Sequence, residues 1–123
     1  MKTAIYTICK NEINRIERWF EYAKMFDYIC VLDTGSTDGT WEFLKKYHDH
    51  IYCNELEAKT FITQRTFYEN FDFSVARNDN LDMVPTDVDW CLSADIDEWF
   101  SSNVLDEMKI IIENNPDVTN ITT

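Results

Sequence analysis

Runs of apolar and β-branched residues alternate along this chain with segments of helical periodicity, and that alternation restricts its fold more than any other feature. Thr3 to Cys9 suits a buried strand. Asn11 then stands where a helix N-cap is expected. Ile16, Trp19, Phe20 and Ala23 fall at i, i+3, i+4 and i+7, the apolar stripe of a helix of about four turns. Tyr28-Ile29-Cys30-Val31-Leu32 reads as a second buried strand that stops at Asp33. The turn Thr34-Gly35-Ser36-Thr37-Asp38-Gly39 leads to a second helix with Phe43, Leu44 and Tyr47 toward the sheet. Ile51-Tyr52-Cys53 reads as a short third strand, and Asn54 to Phe73 as mostly loop. Ser74 is the expected cap of a third helix that runs to Met83 and is ended by Pro85. Asp89 to Ala94 reads as a fourth strand delivering Asp95 at its end. A last helix carries Val104, Leu105, Met108, Ile111 and Ile112 on one face and ends near Asn114-Asn115-Pro116.

Strands alternating with helices predict an α/β fold, a mainly parallel Rossmann-like sheet with helices on both faces and ligands bound beyond the carboxyl ends of the strands. The polar clusters fall at those ends: Lys10-Asn11-Glu12 after the first strand, Asp33 at the end of the second, Asp95 after the fourth. Three separate groups should therefore converge on one edge. With 123 residues, 45% of them hydrophobic, the chain has material for one core, and residues 1–123 are expected to form a single domain. Two glycines, two prolines and the lack of an internal period exclude collagenous, low-complexity and repeat architectures.

A net charge of −12 argues against nucleic acid, whose binding draws on clustered Lys and Arg. An anionic ligand needs a divalent cation between itself and so acidic a protein. Cys9, Cys30, Cys53 and Cys91 contain no CxxC pair, and buried reduced thiols are expected. The N-terminal apolar stretch is too short for a signal peptide, and no run reaches membrane-spanning length. No transmembrane segment and a cytoplasmic location are expected. Asn120-Ile121-Thr122 fits a glycosylation sequon but carries little weight without a secretion signal.

Three constellations carry chemistry. Asp95-Ile96-Asp97 sets two carboxylates two residues apart just past a strand, where they can offer oxygens to one hard cation, Mg²⁺ or Mn²⁺; the same acids can equally cap a helix or face solvent. In Asp33-Thr34-Gly35-Ser36-Thr37-Asp38-Gly39-Thr40 the two glycines and Asp38 serve a strand-turn-helix joint. Asp33, ending a buried strand, can also accept hydrogen bonds from a base or ribose. Phe73 to Asn78 puts Arg77 in the first turn of the third helix, where the dipole calls for a compensating anion. A diphosphate or a neighbouring acid would each serve.

These segments, in this order, resemble the family 2 glycosyltransferases. Thr7-Ile8-Cys9-Lys10-Asn11-Glu12 opens the match. Asp33 to Thr40 looks like the family's D-x-G-S-x-D-G-T signature, Asp72 to Asn78 is similar to its D-F-x-x-A-R-N segment, and Asp95-Ile96-Asp97 occupies the place of its DxD motif. The resemblance implies a GT-A domain. Thr7, Cys9 and Glu12 would line the nucleoside pocket, Asp33 would contact the base, and Arg77 would lie near the diphosphate. Asp95 would sit near the ribose or a metal-bound water, and Asp97 on the metal itself, Mn²⁺ or Mg²⁺. The implied reaction is an inverting, metal-assisted transfer from a UDP- or GDP-sugar to a glycan, lipid or protein acceptor.

Family members continue through further strands that build the acceptor site, so the domain is expected to be incomplete at its C-terminus and the catalytic base to lie beyond residue 123. Glu98 is close to the metal motif, but nothing in the sequence puts it on the acceptor side. The alternative function is a non-catalytic nucleotide- or metal-binding module, or a fragment that needs its C-terminal half. A metal-dependent phosphotransferase is disfavoured, because no P-loop, dinucleotide fingerprint or aspartyl nucleophile pair is present.

Overall fold

The computed structural model describes residues 2–51, 60–97 and 104–115. Four strands, β1 (Thr3–Cys9), β2 (Tyr28–Asp33), β3 (Thr60–Arg65) and β4 (Trp90–Ser93), alternate with four helices, α1 (Ile16–Ala23), α2 (Thr40–Ile51), α3 (Phe73–Asp82) and α4 (Val104–Asn114). The strands form one sheet in the order β3-β2-β1-β4, and all three pairings are parallel. The sheet is thus an α/β, Rossmann-like one.

The side-chain pattern explains the layering. Along β1 and β2, Ile5, Ile29 and Val31 point to one face and Tyr6, Ile8, Cys30 and Leu32 to the other, because successive strand residues alternate. The first face receives Trp19 and Phe20 of α1, Leu44 of α2 and Met108 of α4, with Phe61 of β3 and Leu92 of β4. The second is covered by α3, which packs on β1 and β2 and anchors Asn80 Nδ2 to the Cys30 carbonyl at 3.3 Å. Crossovers that climb from β1 to β3 use one face, and the crossover back to β4 uses the other. The direction of winding therefore reverses between β1 and β4, the switch point at which such sheets bind ligands.

Several elements differ from their sequence expectation. Ile51 is the last residue of α2 and not the start of a third strand, while Tyr52 and Cys53 lie outside the described residues. The third strand is Thr60–Arg65, inside the stretch read as loop. Its Thr-Phe-Ile-Thr-Gln-Arg run has the β-branched and aromatic make-up of a strand, with Phe61 fully buried. Helix α1 is shorter than four turns, since Asn11 adopts φ 56° and does not cap it, and Arg15 holds the cap position. Asp72, not Ser74, caps α3, accepting from the Ser74 N–H at 2.8 Å. Arg77 consequently sits in the second turn. On α4, Met108 is buried but Ile111 is 40% exposed. Cys91 is exposed too: β4 is an edge strand, and α3 covers its neighbours rather than its outward face. Among the described residues no helix is long and apolar enough to cross a membrane.

Candidate nucleotide-sugar site at the strand ends

The signature from Asp33 to Thr40 works as a clasp. Asp33 is fully buried, and its Oδ1 accepts the N–H groups of Gly35 at 2.8 Å and Ser36 at 2.9 Å, folding the chain back after β2. Gly35 takes φ 121° and Gly39 φ 101°, values that L side chains rarely adopt. The loop after β1 is stitched to this turn from both sides. Asn11 N–H donates to Ser36 Oγ at 2.9 Å while Asn11 Oδ1 accepts from Thr37 N–H at 2.7 Å. Glu12 N–H donates to Thr40 Oγ1 at 2.9 Å, and Ile13 N–H to Asp38 Oδ2 at 3.2 Å. Burial pushes the Asp38 carboxyl up, but the Thr40 hydroxyl and the Thr40 and Ile13 N–H groups outweigh it, and the net shift is downward. The motif therefore fixes where Lys10 and Glu12 stand.

Those two residues form one side of a cavity of about 520 Å³ at the switch point, within the range of small-molecule sites. Cys9, Lys10, Glu12 and Thr34 line it from the ends of β1 and β2. Asp95, Ile96 and Asp97 close it from beyond β4. Ile96 is buried while the aspartates on either side are exposed, so both carboxylates reach the cavity. Arg77 enters from α3 with Tyr68, Phe71 and Phe73 beside it, and among the described residues it makes no ion pair with a neighbouring acid.

The structure thus brings Cys9, Glu12, Arg77, Asp95 and Asp97 together and leaves two expected residues behind the wall. Thr7 is 3% exposed and donates its hydroxyl to the Ile8 carbonyl at 3.1 Å. Asp33 faces inward, with Cys9 Sγ 3.8 Å from its Oδ2 and Arg65 Nε 3.5 Å from its Oδ1. Glu98 lies outside the described residues.

Sequence reasoning missed Arg65 and the aromatic wall. Arg65 is in register with Asp33 at the end of β3. It donates to the Ser36 carbonyl at 2.6 Å and its guanidinium lies against the Phe67 and Trp41 rings, 4.7 and 5.5 Å from their centroids. The available signal was the density of aromatic residues after β3.

Cys9 is no nucleophile at ordinary pH. Burial first, then the charge and hydrogen bond of Asp33, push its thiol far up, and burial pushes Cys30 up to about 12. Both folded values are raised, so the stability these neutral thiols contribute is complete below the unfolded value of 9.0 and is lost as pH climbs toward the folded value. Urea unfolding should lose about 1.4 kcal/mol per pH unit and thiol above pH 9, with a shallower slope in Cys30→Ala. A flat profile between about pH 8 and about pH 10 would contradict the buried thiols.

Two carboxylates suit a Mg²⁺ or Mn²⁺ ion that completes its shell with phosphate oxygens and water. Among the described residues no group of three or more His, Cys, Asp or Glu could supply an all-protein cage. The donor set fits an ion shared with a ligand.

Sheet order, crossover helices and a cavity at the switch point define a Rossmann-like α/β domain of the GT-A kind. Residues 4–122 match the family described as Glycosyl transferase family 2, and the chain belongs to that family. It is a glycosyltransferase domain, and membership implies a nucleotide-sugar donor and an acceptor. No curated protein and no solved structure gives a match.

Proposed function

We propose that this domain binds a nucleoside diphosphate sugar, UDP- or GDP-linked, together with Mn²⁺ or Mg²⁺, for inverting transfer of the sugar to a glycan, lipid or protein acceptor. The observation that carries the reading is the meeting of Asp95 and Asp97 with Arg77 in one cavity. Asp97 would hold the ion with Asp95 beside it, and Cys9 and Glu12 would shape the nucleoside pocket. A bound ion supplies positive charge against the phosphate oxygens. Arg77 would add a fixed cation at the diphosphate, stabilising charge that grows there as the bond from the anomeric carbon to oxygen breaks. The acceptor oxygen forms the new bond from the opposite side, and its proton passes to a general base. Three unpaired cysteines among the described residues support a reducing, cytoplasmic setting.

Calorimetric titration of UDP and GDP into the purified chain, with and without Mn²⁺, tests the reading. Binding should need the ion, and Asp97→Ala should weaken it at least about tenfold, because one carboxylate fewer leaves the ion with less charge and one ligand less. Metal-independent binding, or an Asp97→Ala chain that responds to Mn²⁺ like its parent, would remove the metal from the mechanism.

A further inference from the structure

Asp33, which family resemblance assigns to the nucleobase edge, is spent inside the protein. It is fully buried, its Oδ1 holds the Gly35 and Ser36 amides, and it is not on the cavity wall. The cavity has a different surface suited to a base. Phe71 and Phe73 line it while remaining 48% and 62% exposed, an apolar area that a monomer has no folding reason to leave at the mouth of a charged site. Their rings meet edge to face at 4.8 Å, and Tyr68 meets Phe71 likewise at 5.9 Å. Tyr68 is itself pinned by a 2.7 Å hydrogen bond to Asp79. The wall is therefore held at its inner end and open at its outer one.

Helix geometry sets the distance between this wall and the charged groups. Phe73 and Arg77 are four residues apart on α3 and share a face, about 5–6 Å from one another at Cβ. A molecule with its anionic group at Arg77 would have a planar ring within reach of Phe73. A nucleoside diphosphate has that shape.

Resting on the nucleotide-sugar reading, we propose that this domain holds the nucleobase by its face, on Phe71 and Phe73, and not by its edge at Asp33. Recognition by stacking is tolerant of base identity, because every base has a π-face. UDP and GDP should accordingly bind with affinities within about tenfold of each other.

The test is calorimetry with UDP, GDP and inorganic diphosphate, all in Mn²⁺, on the parent chain and on Phe71→Leu/Phe73→Leu. Both positions are exposed, so the double variant is expected to keep its fold, which circular dichroism checks. The inference expects UDP and GDP to weaken by about tenfold to a hundredfold, with diphosphate unchanged. It is overturned if nucleoside diphosphates bind the variant as tightly as the parent, if all three ligands weaken equally, or if the parent separates UDP from GDP by far more than tenfold. A parent that binds neither nucleotide defeats the nucleotide-sugar reading, and this inference falls with it.

Discussion

Phe20→Ala should cost the fold about 3–5 kcal/mol, the usual range for deleting a buried aromatic ring, and lower the thermal midpoint by more than about 10 °C. Phe20 has no exposed surface. It is where three elements meet: its ring stands edge-on to Trp19 in α1 and to Phe61 in β3, with centroids at 5.4 and 5.3 Å, and lies tilted against Phe43 in α2 at 6.1 Å. These residues cannot follow an alanine inward, because each is fixed by its own helix or strand. A small domain has about 5–15 kcal/mol of stability in all, so a substantial share would go. Urea or thermal unfolding gives the value, and a loss below about 1 kcal/mol would mean that the ring does not hold these elements together.

Arg65→Leu is the second large effect expected, about 3 kcal/mol of stability, at the low end for breaking a buried ion pair. The low end applies for two reasons. Nε and Asp33 Oδ1 are 3.5 Å apart without a hydrogen bond, and the Asp33 carboxylate keeps its two backbone donors when the guanidinium is gone. What disappears is the counter-charge, the bond to the Ser36 carbonyl and the contact with Phe67 and Trp41. Arg65→Lys should recover only part, since an ammonium cannot lie flat between two rings. Denaturation of the three chains under one set of conditions decides the matter. If leucine were as stable as arginine, Asp33 would not need the pair.

Where one residue type dictates one geometry, the sequence could be read directly. Strands β1 and β2 are continuous apolar runs, as buried parallel strands are, and α1 shows its stripe at Ile16, Trp19, Phe20 and Ala23 without ambiguity. The acidic groups past β1 and β4 could be assigned to one edge because parallel strands put all their carboxyl ends on the same side. Other features depended on contacts far apart in sequence. Strand β3 was hidden because its short pattern lies in an aromatic-rich stretch, while the elements it pairs with and packs on, β2 and α2, are distant in sequence. The inward turn of Asp33 was hidden because a carboxylate at a strand end serves a ligand or its own turn equally well. Only the amides of Gly35 and Ser36, once folded, decide between them. The first residue of α1 was misplaced because Asn11 can cap a helix but here takes a left-handed conformation to reach the turn after β2.

The pairing of β1 with β4 also bears on how the molecule is made. Lys2 and Asp89, which bond to one another at the start of these strands, are 87 residues apart, and every other strand pairing spans a crossover as well. Loops that long are slow to close. During synthesis β1 and β2 can pair early, but the cavity lacks its acidic wall until the stretch carrying Asp95 and Asp97 has left the ribosome and β4 has returned to the first strand. A nascent chain that stops short of residue 95 therefore presents the clasp around Asp33 without the two carboxylates of Asp95 and Asp97 opposite it.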